Sequence, residues 1–147
     1  ANVGYMEGTP AREGQVQGRN LLLATDGKPH SAKAIELAME MAQLASSKLF
    51  IMYVVSSRNE SVRSRVIKDG MSVLQDLKQR GADRGLDITT LLEGGPPHQA
   101  IVSTAERIKA GAIIVGSSGK SVMDRILIGS VSEYVVRNSK CTVIVVK

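Results

Sequence analysis

A single cysteine, Cys141, is all the thiol chemistry this 147-residue chain contains. No internal disulfide and no cysteine cluster for zinc can form from it, and such usage suits a reducing interior. Aromatic residues make up 3% of the chain and tryptophan is absent, which removes nearly all the stacking platforms that single-stranded nucleic-acid binders use. Uninterrupted apolar runs such as Ala112 to Val115 and Val143 to Val146 fall far short of the roughly 20 residues needed to cross a bilayer. The first residues, ANVGYMEGTPAREG, show no basic segment followed by an apolar stretch, so no secretory leader is legible and a cytoplasmic location is expected. In a non-secreted chain the triplet Asn59-Glu60-Ser61, which fits the glycosylation acceptor pattern, reads as coincidence.

What the chain does carry is an aliphatic interior. Hydrophobic residues make up 43% and charged residues 22%, enough Ile, Leu, Val and Met to offset chain entropy. That balance excludes intrinsic disorder, collagen-like repeats and disulfide scaffolds. One globular domain is expected at this length, burying roughly two thirds of the surface its unfolded chain exposes. The formal net charge of +5 admits an anionic partner, whether nucleic acid, membrane surface or a phosphorylated small molecule. Arg58, Arg63, Arg65 and Lys68 cluster, yet Glu60 and Asp69 interrupt them, so the stretch reads as a solvated helix face.

Strands and helices alternate along the chain. Residues 1–18 hold Gly4, Gly8, Gly14, Gly18 and Pro10 with few large apolar side chains; they read as a flexible tail or expression remnant before a folded unit over 19–147. Leu21 to Ala24 is a short apolar run closed by Thr25-Asp26-Gly27, the pattern of a strand buried on both faces and ended by a turn. Ala34, Ile35, Ala38, Met41, Ala42 and Ala45 then repeat at helical spacing behind Pro29, His30 and Ser31, where a helix start tolerates proline and wants a capping hydroxyl. A second strand is expected over 48–55, a second helix with Val66, Gly70, Val73, Leu74 and Leu77 on one face ending near Arg80 and Gly81, and a more polar third strand over 86–92. Pro96 and Pro97 open a third helix, Ala112 to Val115 form the fourth strand, a last helix spans about 130–137, and residues 142–147 form the fifth strand. Five such strands and four helices satisfy their crossovers as a doubly wound, Rossmann-like α/β fold, a parallel sheet with helices on both faces. Ligands in that fold collect beyond the carboxyl ends of the strands, where strand order reverses.

Two loops at those ends carry the chemistry. The fourth strand runs into Gly116-Ser117-Ser118-Gly119, and Gly129-Ser130-Val131 follows at the start of the last helix, a G-x2-G-x9-G-S spacing. Glycines let a phosphate approach the main chain with no Cβ in the way, and free amides at a helix N-terminus favour negative charge. Gly119-Lys120-Ser121 resembles the end of a P-loop, but Ile114 stands where that motif needs its first glycine. The dinucleotide signature is missing after the first strand, where Asp26-Gly27-Lys28 stands instead, so a nicotinamide enzyme is disfavoured. Plainer readings stand beside these: Asp26 as a strand-end turn residue, Gly116 as a packing glycine, Ser130 as a helix cap, Val54 and Val115 as core, and His30 and His98 as polar residues at helix starts.

Leu21 to Asp26, the G-x2-G-x9-G-S loop and the closing CTVIVV together resemble the universal stress protein family over about residues 19–147. The resemblance implies strand order 3-2-1-4-5, which brings Asp26 beside Gly116. It implies ATP, with Mg2+ or with AMP or ADP as alternatives: Asp26 at the adenine or ribose end, Ala24 and Thr25 as the adjoining wall, and Val54 against the adenine ring. Val115 and Gly116 would line base and ribose, while Gly119, Gly129, Ser130 and Val131 would hold the phosphates. Lys28-Pro29-His30 departs from the commonest pattern, in which a serine follows Asp-Gly directly. No catalytic set is convincing: Asp124 and Arg125 flank the phosphates but read as a solvated pair, and the resemblance implies at most slow ATP hydrolysis. A nucleotide-gated module that orders the 116–131 loop and signals to an unknown protein partner is the leading expectation. The resemblance further implies a homodimer through antiparallel pairing of the last strand. A nucleotide-independent dimerisation or scaffold domain is the alternative, and nucleic acid ranks last.

Overall fold

The computed structural model describes residues 19–117 and 129–147. The expected tail over residues 1–18 lies outside them, as do Gly119, Lys120, Asp124 and Arg125. The described elements are β1 (Asn20–Ala24), α1 (Ala32–Ala45), β2 (Leu49–Val55), α2 (Glu60–Asp83), β3 (Ile88–Gly94), α3 (Pro97–Arg107), β4 (Ala110–Gly116), α4 (Ser130–Asn138) and β5 (Thr142–Val146). The strands form a single parallel sheet in the order β3-β2-β1-β4-β5, which is the doubly wound arrangement the alternating elements predict.

Alternation along each strand divides the core in two. Leu21 and Leu23 face α1 and α2 with Ile51 and Ile114, while Leu22 faces α3 and α4 with Met52, Ile113 and Val115. At β1 the three leucines are no more than 1% exposed, each contributing roughly 1.5–3 kcal/mol by leaving water. The central strand is therefore apolar at consecutive positions, as its unbroken leucine run predicts. On α1, alanines 34, 38 and 42 are buried beside Ile35 and Met39, and their small size lets the helix lie close against β1.

Three local features differ from expectation. Ser31 does not cap α1: its hydroxyl donates to the Lys28 carbonyl at 2.6 Å, closing a one-turn 3-10 segment over Pro29–Ser31 that precedes the α-helix. The Asn59-Glu60-Ser61 triplet is the start of α2, where Asn59 Oδ1 accepts from the Ser61 and Val62 amides at 3.1 and 3.4 Å; this is a helix cap. α2 runs on to Asp83, past the end expected near Gly81, and Gly81 sits inside it because a Cβ there would meet Ile88 Cδ1. β5 occupies one edge of the sheet with every residue half-buried.

Candidate functional site

β1 and β4 lie side by side with Ala24 opposite Val115, and the chain's strand order reverses between them. A cavity of about 400 Å³ opens beyond these strand ends, within the size range of small-molecule sites. Its floor is apolar. Ala24, Val54 and Val115 come from the α3/α4 side of the sheet, and Ile101 rises from α3 to meet them. Pro97 stands one turn before Ile101 on the same helix face and completes that wall.

The turn after β1 supplies the carboxylate side. The Thr25 amide donates to the Met52 carbonyl at 3.0 Å, extending the sheet by one bond, and the Thr25 hydroxyl accepts from the Gly27 amide at 3.1 Å. Asp26 Oδ1 accepts from the Lys28 amide at 3.0 Å, and His30 Nε2 lies 3.1 Å from Asp26 Oδ2. Both carboxylate oxygens are thus oriented. His30 and Asp26 are 37% and 44% exposed at their side chains, so the pair adds at most about 1 kcal/mol of stability and its effect is to aim Asp26. Tyr53, behind this turn, has its hydroxyl pKa pushed above the ordinary value, first by burial and then by the negative charges of Asp69 and Asp26.

The opposite side is main chain. Among the described residues a Cβ placed on Gly116 would find no atom within 4 Å, so no described neighbour demands a glycine for packing and its backbone is open in the cavity wall. α4 starts at Ser130 with Gly129 as its N-cap and, among the described residues, no side chain capping it; Ser130 is the first helical residue, not the cap its position suggests. The first backbone bond of α4 runs from the Glu133 amide to the Gly129 carbonyl at 2.9 Å. Among the described residues the amides before it have no partner, and they lie at the positive end of the helix dipole, beside the cavity.

The universal stress protein family model matches residues 18–147. The chain belongs to that family. Among curated relatives it is 30% identical to Universal stress protein MJ0531 of Methanocaldococcus jannaschii, covering 97% of this chain and 90% of that one. It is 29% identical to Universal stress protein YxiE of Bacillus subtilis, covering 86% and 97%. Among solved structures it is similar to hypothetical protein MJ0577, with a TM-score of 0.79, 26% identity, and coverage of 90% and 97%. It is also similar to a universal stress protein crystallised in complex with cAMP, with a TM-score of 0.72, 29% identity, and coverage of 88% and 97%.

In this universal stress protein domain Ala24, Thr25, Asp26, Val54, Val115, Gly116, Gly129, Ser130 and Val131 all line this same cavity; Gly119 lies outside the described residues. Sequence reasoning missed His30, Ser31, Ser56, Pro97, Ile101, Ser117 and Ser132, which share that lining. The four-residue separation of Asp26 and His30 was the available signal for one of them. His98 is elsewhere, with its ring edge-on to Tyr134 at 4.6 Å between centroids. Among the described residues no helix is long and apolar enough to cross a membrane, and no three His, Cys, Asp or Glu side chains gather to hold a metal ion.

Proposed function

We propose that this member of the universal stress protein family binds an adenine nucleotide, ATP with Mg2+ in the first instance, and works as a cytoplasmic, homodimeric module whose state is read by a protein partner. The observation that carries the reading is the juxtaposition, in one cavity, of an uncapped helix start, a glycine with open space before it and an oriented carboxylate. The residues present fit the group. A planar, weakly polar base suits the apolar slot between Val54, Val115 and Ile101. Asp26 accepts from base or ribose hydrogen-bond donors, and the α4 amides with the Ser130 hydroxyl donate to phosphate oxygens. The nucleotide supplies negative charge and hydrogen-bond acceptors rather than a reaction.

The cAMP complex of a relative 29% identical to this chain supports the same class of ligand, with the cyclic phosphate as the competing choice. β5 lies at the sheet edge and offers its outer backbone to a second copy, which supports the dimer. Calorimetric titration of nucleotide-stripped protein tests the reading: ATP binds with micromolar or tighter affinity, and Asp26→Ala weakens it at least tenfold. Absence of binding up to millimolar ATP, ADP, AMP and cAMP overturns it in favour of a nucleotide-independent scaffold.

A further inference from the structure

Ser132 matches no part of the glycine spacing, yet it is 3% exposed and lines the cavity. Its hydroxyl donates to the Gly116 carbonyl at 3.0 Å, across 16 residues of chain. The amide of the same peptide unit, that of Ser117, donates to the Val146 carbonyl at 2.8 Å. The Gly116–Ser117 peptide is therefore held at both its polar ends, by α4 on one side and β5 on the other. A peptide plane so held cannot rotate, and the open face of Gly116 stays turned to the cavity.

The same bond sets where α4 begins. Ser132 is the third residue of that helix, in the turn whose amides lack a capping side chain among the described residues. A hydroxyl anchored on the last residue of β4 ties that turn to the strand end. Donors that bind an anion without moving must be held in place by neighbours whose own rotamers are locked, and a displacement of about 1 Å is enough to lose much of the interaction. A buried serine hydroxyl satisfied by a distant carbonyl supplies such a lock, whereas a serine kept only for solubility would face water.

We infer that Ser132 is a positioning residue that clasps the end of β4 to the first turn of α4 and presets the phosphate-binding amides of that turn. The inference rests on the nucleotide reading above and deepens it by assigning the clasp to the phosphate end of the site alone. Two variants test it. Ser132→Ala removes the donor; Ser132→Cys keeps the volume but offers only a weak one, so it separates the hydrogen bond from the packing should the alanine variant fold poorly.

The expected result for both is an affinity for ATP about tenfold lower, with adenosine, which lacks phosphate, bound within twofold of the parent protein. Amide hydrogen exchange of Ser117 and Glu133, whose amides donate to the Val146 and Gly129 carbonyls, should be faster in both variants without any ligand, while exchange in β1 and β2 is unchanged. Equal losses for ATP and adenosine would show general loosening and overturn the inference, and so would parental exchange rates at Ser117 and Glu133 or parental ATP affinity. If the parent protein binds no nucleotide while the exchange rates rise as expected, the nucleotide reading has failed and the assignment to phosphate falls with it, leaving a purely structural clasp.

Discussion

Gly27 is the residue on which the turn beside Asp26 depends, and replacing it with alanine separates two energies that are usually confounded. Its φ of +72° is left-handed, a conformation that costs a side-chain-bearing residue roughly 1–2 kcal/mol. A Cβ there would also lie 2.6 and 2.7 Å from the two γ-carbons of Val73 on α2, well inside the 3.5–4.0 Å of ordinary carbon contacts. Crowding of that kind costs about 1–2 kcal/mol more. Gly27→Ala should therefore lower stability by about 2–4 kcal/mol, a fall in Tm of roughly 8–16 °C for a folded unit of this size. Val73→Ala removes both γ-carbons and leaves only the Cβ of residue 73, at 3.2 Å, so in the double variant most of the crowding is relieved and the backbone strain remains. Chemical denaturation of all four proteins should give a favourable coupling of about 1–2 kcal/mol between the two sites. Additive effects would mean that the valine does not confront the glycine; full recovery in the double variant would mean that the backbone carries no strain.

Three further outcomes are expected. Asn59→Ala removes the acceptor for two first-turn amides of α2 and should cost about 1 kcal/mol by thermal denaturation, whereas an unchanged Tm would show that the exposed turn frays without the cap. Burial pushes the Cys141 thiol pKa above its ordinary value, so the fold favours the neutral thiol. That contribution is complete below about pH 8.5, the ordinary thiol range, and is lost as pH rises through the higher folded value. The stability of the parent relative to Cys141→Ser should fall in that alkaline window, and a difference constant up to pH 10 would refute it. Finally, the Val146 carbonyl points to β4, and neighbouring residues of a strand point their backbone groups to opposite sides. The backbone of Val145 therefore faces outward, and Val145→Pro should yield monomer by light scattering if two copies pair through β5; an intact dimer would rule that pairing out.

Most of the fold is legible because its strands are buried on two faces and its helices on one. The unbroken leucines of β1 and the apolar run of β4 mark strands buried on both faces, and the β-branched run of β5 marks a strand even at the half-buried edge. Where burial does not shape the sequence, the reading slips. The first turns of α2 are exposed and carry no apolar period, so its start is marked only by Asn59. β3 extends to Glu93 and Gly94 because their backbone pairs with Val54 and Val55, a contact indifferent to side-chain polarity. At the site, the glycine spacing and Asp26 are visible since each depends on a local backbone requirement. Ile101 reads simply as core, and the Ser132 clasp joins positions that only the finished sheet brings together.

The parity of the strands has an evolutionary corollary. Odd-numbered side chains of β1 belong to the layer of α1 and α2, while Ala24, Val54 and Val115 share the other layer with α3 and α4. A ligand resting on that floor touches one half of the interior and leaves the other untouched. Lineages could rewrite the α1 layer, trading volume among Ile35, Met39, Ile51 and Ile114, and drift in thermal endurance while their ligand preference stayed inherited.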